Sequence, residues 1–183
     1  QETRQQEVDE IEKAKAAGLQ IQGVVAIIDR LEGGTEAFAA AGYTLPPPPQ
    51  PVATYVTSVR TGNLLFLSGH GECGEKFTRG KVGRDLTVEQ GRQSAEKVGL
   101  CMLATIKAAV GELSRVKRFV RILGMVNSTE DLKDHPKVVN GFSDLMVVAF
   151  GDGGRGARSA VGMQSLPSDI AVEIEATVEL HDD

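Results

Sequence analysis

Near its C-terminal end the chain reads "GGRGARSAVGMQSLP", from Gly153 to Pro167. Two arginines, Arg155 and Arg158, close a glycine-rich stretch just before a strand-like run. A guanidinium is planar and permanently charged, and it can grip a carboxylate through two parallel hydrogen bonds. Each arginine could instead be solvated decoration, the common fate of an arginine after a flexible loop. Arg155 reads as a surface residue of that loop. Fifteen residues beyond Arg158 stands Glu173, the first carboxylate of an alternating run with Glu175 and Glu179. That spacing is compatible with two neighbouring strands. The carboxylates read either as the wet face of a sheet or as a place where Glu173 orients or deprotonates a water.

Metal chemistry finds little support. His70, His135 and His181 lie far apart, and the spacing of Cys73 and Cys101 fits no metal or redox motif. All five read as ordinary core or surface residues. Two free thiols suit a reducing compartment and hence a cytoplasmic location. No metal and no cofactor are expected.

The composition sets the frame for these residues. A chain of 183 residues, 41% apolar and 25% charged, has the make-up of a globular domain of ordinary size, with or without an appendage. The net charge of −5 argues against a general nucleic-acid binder. No apolar run reaches membrane-spanning length. The first residues, "QETRQQEVDEIEKAKAAG", are polar and lack the apolar core of a secretory signal, and the missing initial Met suggests a processed or trimmed chain.

The elements that must position the candidate residues follow from pattern. To about Tyr43 the chain reads helix, strand, helix, with "IQGVVAIID" as the apolar strand and Thr35 as a helix cap. "LPPPPQP", Leu45 to Pro51, enforces an extended segment and divides residues 1–45, an accessory helix–strand–helix segment, from residues 46–183, the main domain. "ATYVTSVRTGNLLFLSG" predicts two strands turning at Thr61-Gly62-Asn63. A polar loop follows. Thr87 with Gln90 forms a capping box for a long helix whose apolar stripe is Val88, Ala95, Val98, Met102, Ile106 and Ala109. "VKRFVRILGMVNS" is a strand and "HPKVVNGFSDLMVVAFG" a second helix, with Pro136 in its first turn. "ARSAVGMQSLP" and "AVEIEATVEL" are the last two strands, the latter alternating Val172, Ile174, Ala176, Val178 and Leu180 against its charged residues. This order predicts an α+β fold, a mixed sheet with both helices on one face. The bare face needs a cover, and oligomerisation would supply it.

Taken together, "YVTSVRTGNLLFLSG", "RVKRFVRILGMVNS", "VVNGFSDL", "ARSAVGMQSLP" and "VEIEA" resemble the YjgF/RidA family, also called endoribonuclease L-PSP, in order and nearly in spacing from about Pro46 to Leu180. The resemblance implies a chorismate-mutase-like fold, a homotrimer, and a ligand cleft between subunits. It implies hydrolysis of reactive enamines and imines, such as 2-aminoacrylate and 2-iminopropanoate, to 2-keto acids and ammonia. The family's substrate-binding arginine falls on Arg158, its tyrosine on Tyr55, the serine and glycine of its "SG" pair on Ser68 and Gly69, its asparagine on Asn140, and its glutamate on Glu173. Ala160 stands where many members have cysteine, and His70 where the best-known members have glutamine, both at expected pocket positions. The loop before Arg158 is one residue longer. The glycines and small residues around Arg158 are expected to leave room for a ligand carboxylate. A non-catalytic trimer that binds small carboxylates is the alternative, and an endoribonuclease the weaker one, since an acidic chain lacking a stacking platform suits RNA poorly. Residues 7–45, with "VVAIIDRLEGG", resemble a late fragment of orotate phosphoribosyltransferases without the acidic strand that would precede it.

Overall fold

The computed structural model describes residues 41–182. The expected N-terminal helix–strand–helix lies outside the described residues. Five strands form one sheet in the order β1-β2-β5-β3-β4: β1 Ser58–Thr61, β2 Leu64–His70, β3 Val116–Asn127, β4 Ala157–Met163 and β5 Val172–Leu180. Helices α1, Val88–Val110, and α2, His135–Phe150, complete it. β1 and β2 form a hairpin whose turn contains Gly62 at φ +54, a left-handed conformation that glycine adopts without strain. The first strand starts five residues later than the sequence pattern suggests, because the chain from Ala53 is bent, with Tyr55 N–H bonded back to Ala53 C=O.

β3 and β4 run parallel, joined through α2, while β5 is inserted antiparallel between β2 and β3. A parallel neighbour needs a crossover, and α2 supplies it. The alternation of β5 is realised in full: Val172, Ile174, Ala176, Val178 and Leu180 are buried toward the helices. Phe119 of β3 meets Phe142 of α2 edge to face, with ring centroids 6.0 Å apart.

The capping box forms on both sides, Gln90 N–H to Thr87 Oγ1 at 3.1 Å and Thr87 N–H to Gln90 Oε1 at 2.9 Å. Of the predicted apolar stripe, Ala95, Val98, Met102 and Ile106 are buried, Val88 is partly buried, and Ala109 is exposed in the last turn. From Cys101 to Ile106 every residue of α1 is buried, because sheet, α2 and a loop enclose it. α1 and α2 touch where Gly141 sits on the first helix; a Cβ there would be 2.0 Å from Arg92 C=O. Tyr43 and Leu45 pack against the core, so the segment leading into the prolines is part of the folded unit.

The expectation of two free thiols fails. Cys73 and Cys101 form a disulfide, with Cα atoms 5.7 Å apart. The loop after β2 folds back over α1, where Glu72 also pairs with Lys97 at 3.6 Å. A separation of 28 residues is silent about such a meeting, which depends on tertiary packing. The pair therefore lends no support to a reducing compartment. Among the described residues no helix is long and apolar enough to cross a membrane, and no group of three or more His, Cys, Asp or Glu is placed to hold a metal ion.

Among the described residues the sheet face away from the helices is bare. Val59, Phe66 and Val161 are exposed on it. A shallow depression of about 280 Å³ lies there, lined by Phe66, Ser68, Arg121, Glu175 and Thr177 among others.

Candidate functional site

Strand register decides where Arg158 points. In the parallel pairing it lies beside Ile122, with Ala160 beside Gly124 and Gly162 beside Val126. Ile122 and Val126 are buried toward the helices, and Gly124 lies under Val139 of α2. Registered neighbours share a face, so Arg158, Ala160 and Gly162 stand on the helix side of the edge strand. From this edge Arg158 reaches over α2. Its Nη1 donates to Asn140 Oδ1 and to Ser143 Oγ, each at 2.9 Å, and its Nη2 reaches Pro136 C=O at 3.5 Å. The guanidinium stays exposed at this rim.

Glu173 belongs to the opposite side. The β5 alternation that buries Val172 and Ile174 turns Glu173, Glu175 and Thr177 to the bare face. Glu173 is half-buried against Gly69, where a Cβ would come within 2.0 Å of its Oε1. Burial first, and the charge of Glu175 second, push its carboxyl above the ordinary value of 4.5. Ser68 lies on the same face, and its hydroxyl donates to Val56 C=O at 2.6 Å. Tyr55, one residue before Val56, is 44% exposed.

The candidate residues thus form two groups. Arg158, Asn140 and Ala160 meet at the β4–α2 edge, while Glu173, Gly69, Ser68 and Tyr55 belong to the bare face and the segment beside it. Arg158 and Glu173 are not on neighbouring strands, because β3 runs between β4 and β5.

Two further expectations change. The glycines around Arg158 leave no free space: a Cβ on Gly154 would strike Met146 C=O at 2.2 Å, and one on Gly162 would lie 2.5 Å from His135 Nε2 and 2.7 Å from Ser128 Oγ. Their smallness serves close packing. His70 is no pocket residue. It is 4% exposed, its Nδ1–H donates to Ser68 C=O at 2.6 Å, and its Nε2 accepts from Thr105 Oγ1 at 2.9 Å. Burial lowers its pKa, and the bond to Ser68 opposes that only in part. Ser143, which the sequence motifs do not single out, lies three residues after Asn140 and so on the same side of the helix. Arg155 is an exposed loop residue, paired with Asp152 at 3.4 Å.

A family profile described as "YjgF/chorismate_mutase-like, putative endoribonuclease" matches residues 35–174. "Protein TCP17" of Trypanosoma cruzi is 40% identical over 144 residues, covering 76% of this chain and 89% of that protein. Among solved structures, protein Atu1372 of unknown function from Agrobacterium tumefaciens is 37% identical with a TM-score of 0.75, covering 83% of this chain and 96% of that one. A structure titled "putative endoribonuclease" from Shewanella oneidensis MR-1 is 30% identical with a TM-score of 0.78, covering 81% of this chain and all of that one, 100%. RidA from an Antarctic Psychrobacter is 26% identical with a TM-score of 0.50, covering 73% and 94%. A separate short match, 56% identity over 32 residues, is to an orotate phosphoribosyltransferase of Sorangium cellulosum, covering 18% of this chain and 17% of that enzyme. With a profile match over most of its length and the matching mixed sheet under two helices, the chain belongs to the YjgF/RidA family.

Proposed function

We propose that the protein hydrolyses small 2-imino acids and their enamine tautomers to 2-keto acids and ammonia, with Arg158 gripping the substrate carboxylate. The observation that carries this reading is the guanidinium of Arg158 held at a rim by Asn140 and Ser143, with its charge uncompensated by any ion pair among the described residues. For 2-iminopropanoate the balance is one water in, pyruvate and ammonia out. The clamped carboxylate fixes the C=N carbon. A water adds to that carbon, and the C–N bond breaks as nitrogen leaves protonated. Glu173 is the group to take and return the protons, since burial brings its carboxyl closer to neutral pH. Gly69, Ser68 and Tyr55 would line its side of the cleft. Because the two groups occupy opposite sides of one sheet, the cleft in this reading lies between copies of the chain in a homotrimer.

The test is ammonia or pyruvate release from freshly generated 2-aminoacrylate. Arg158→Ala should abolish the acceleration; equal rates in variant and wild type would end this reading. One observation favours a second reading, a trimer that binds small carboxylates without turnover: Ala160 offers only a methyl group beside Arg158 on the same strand face. Tight 2-keto acid binding with no turnover on any imine would select it.

A further inference from the structure

We infer that Ser143, together with Asn140, is a positioning residue that commits the Nη1 end of Arg158 to α2 and turns its Nε/Nη2 edge outward, so that the site selects ionised carboxylates over their neutral esters. The inference rests on the reading of Arg158 as the carboxylate clamp.

A guanidinium has five N–H donors in a rigid plane. Two of them, on Nη1, are taken by Asn140 Oδ1 and Ser143 Oγ at 2.9 Å each. These acceptors stand three residues apart on one face of α2, a rigid support. Two acceptors on one nitrogen fix both the position and the plane of the group. Pro136 C=O, at 3.5 Å, touches Nη2 only loosely. Among the described residues Nε–H has no partner. The edge that remains carries two parallel donors, the geometry a carboxylate accepts through both oxygens. A neutral ester presents one carbonyl oxygen and no charge, so it gains little from that edge. Without the Ser143 contact, Asn140 Oδ1 alone holds Nη1, and the plane of the group would have to be set by the ligand, which weakens binding.

The experiment is calorimetric titration of the full chain with pyruvate and with methyl pyruvate. Wild type should prefer pyruvate, and Arg158→Ala should lose that preference. Ser143→Ala should weaken pyruvate binding about tenfold, leave the weak binding of the ester unchanged, and leave the melting temperature unchanged. Ser143→Thr, which keeps the hydroxyl, should restore pyruvate binding. If Arg158→Ala loses pyruvate while Ser143→Ala binds it like wild type, the positioning role is wrong and the clamp stands. A melting temperature that falls in Ser143→Ala without rescue by Ser143→Thr makes the residue merely structural and likewise overturns the role. If wild type and Arg158→Ala bind pyruvate equally, or neither binds it, the clamp itself falls and takes the inference with it.

Discussion

Gly69 of β2 and Glu173 of β5 are in direct contact: a methyl group on Gly69 would lie 2.0 Å from Oε1 of Glu173. The carboxylate fills the space a side chain would occupy. Gly69→Ala must therefore push the carboxylate aside, a shift that the flexible end of the Glu173 side chain makes at little cost in stability. In the proposed reaction, activity on 2-aminoacrylate should then fall on the order of 100-fold, because the displaced carboxyl would no longer face the substrate. Full activity in Gly69→Ala would remove Glu173 from the chemistry.

Glu173 also sets a pH dependence of stability. Its carboxyl titrates above its ordinary value of 4.5 in the folded chain, so folding takes up a proton between the two values. The native state accordingly loses stability as pH rises through that window. Glu173→Gln removes the loss. Denaturant midpoints of variant and wild type should agree more closely at pH 4 and diverge in favour of the variant toward pH 7. A variant less stable than wild type at pH 7 would contradict the assigned environment.

His70 works in the opposite sense. Burial holds its pKa below 6.5, so the unfolded chain binds the proton first as pH falls. Its neutral form contributes stability at pH 7, and that contribution is lost on acidification below 6.5. Thermal melts of His70→Gln should show a flatter pH profile between pH 7 and 5 than wild type does. Identical profiles would mean that His70 is charged or exposed.

The disulfide gives a direct chemical check. Titration of thiols in denaturant, without reductant, should find none. Reduction should lower stability by about 3.5 kcal/mol, the loop-closure value for a 28-residue separation. Two titratable thiols in the protein purified without reductant would show the bridge to be absent.

The fold was largely legible in the sequence because its strands and helices have clean periods. The β5 run from Val172 to Leu180 alternates without a break, and Thr87 with Gln90 marks the start of α1 on both sides of the capping box. The candidate site was legible as a set of residue types, and its geometry was not. β4, "ARSAVGM", has small residues on both faces and no burial alternation, so nothing local says which way Arg158 turns. Only the register against β3 does, and register is a long-range property. His70 looked like a pocket residue because it follows Ser68 and Gly69, yet the irregularity between Leu67 and His70 in the pairing with β5 delivers it to Thr105 of α1. The Cys73–Cys101 meeting likewise depends on how a loop folds over a helix, which periodicity does not encode.

The placement of Arg158 on one side of the sheet and Glu173 on the other has a genetic consequence. In a cleft built from both, two different broken chains can repair each other. An Arg158→Ala chain still carries a sound Glu173, and a Glu173→Gln chain still carries a sound Arg158. Co-assembled in equal amounts at random, about one quarter of their clefts would draw each half from the chain that keeps it intact. Activity that neither variant has alone would then appear in the mixture, the mark of complementation between subunits.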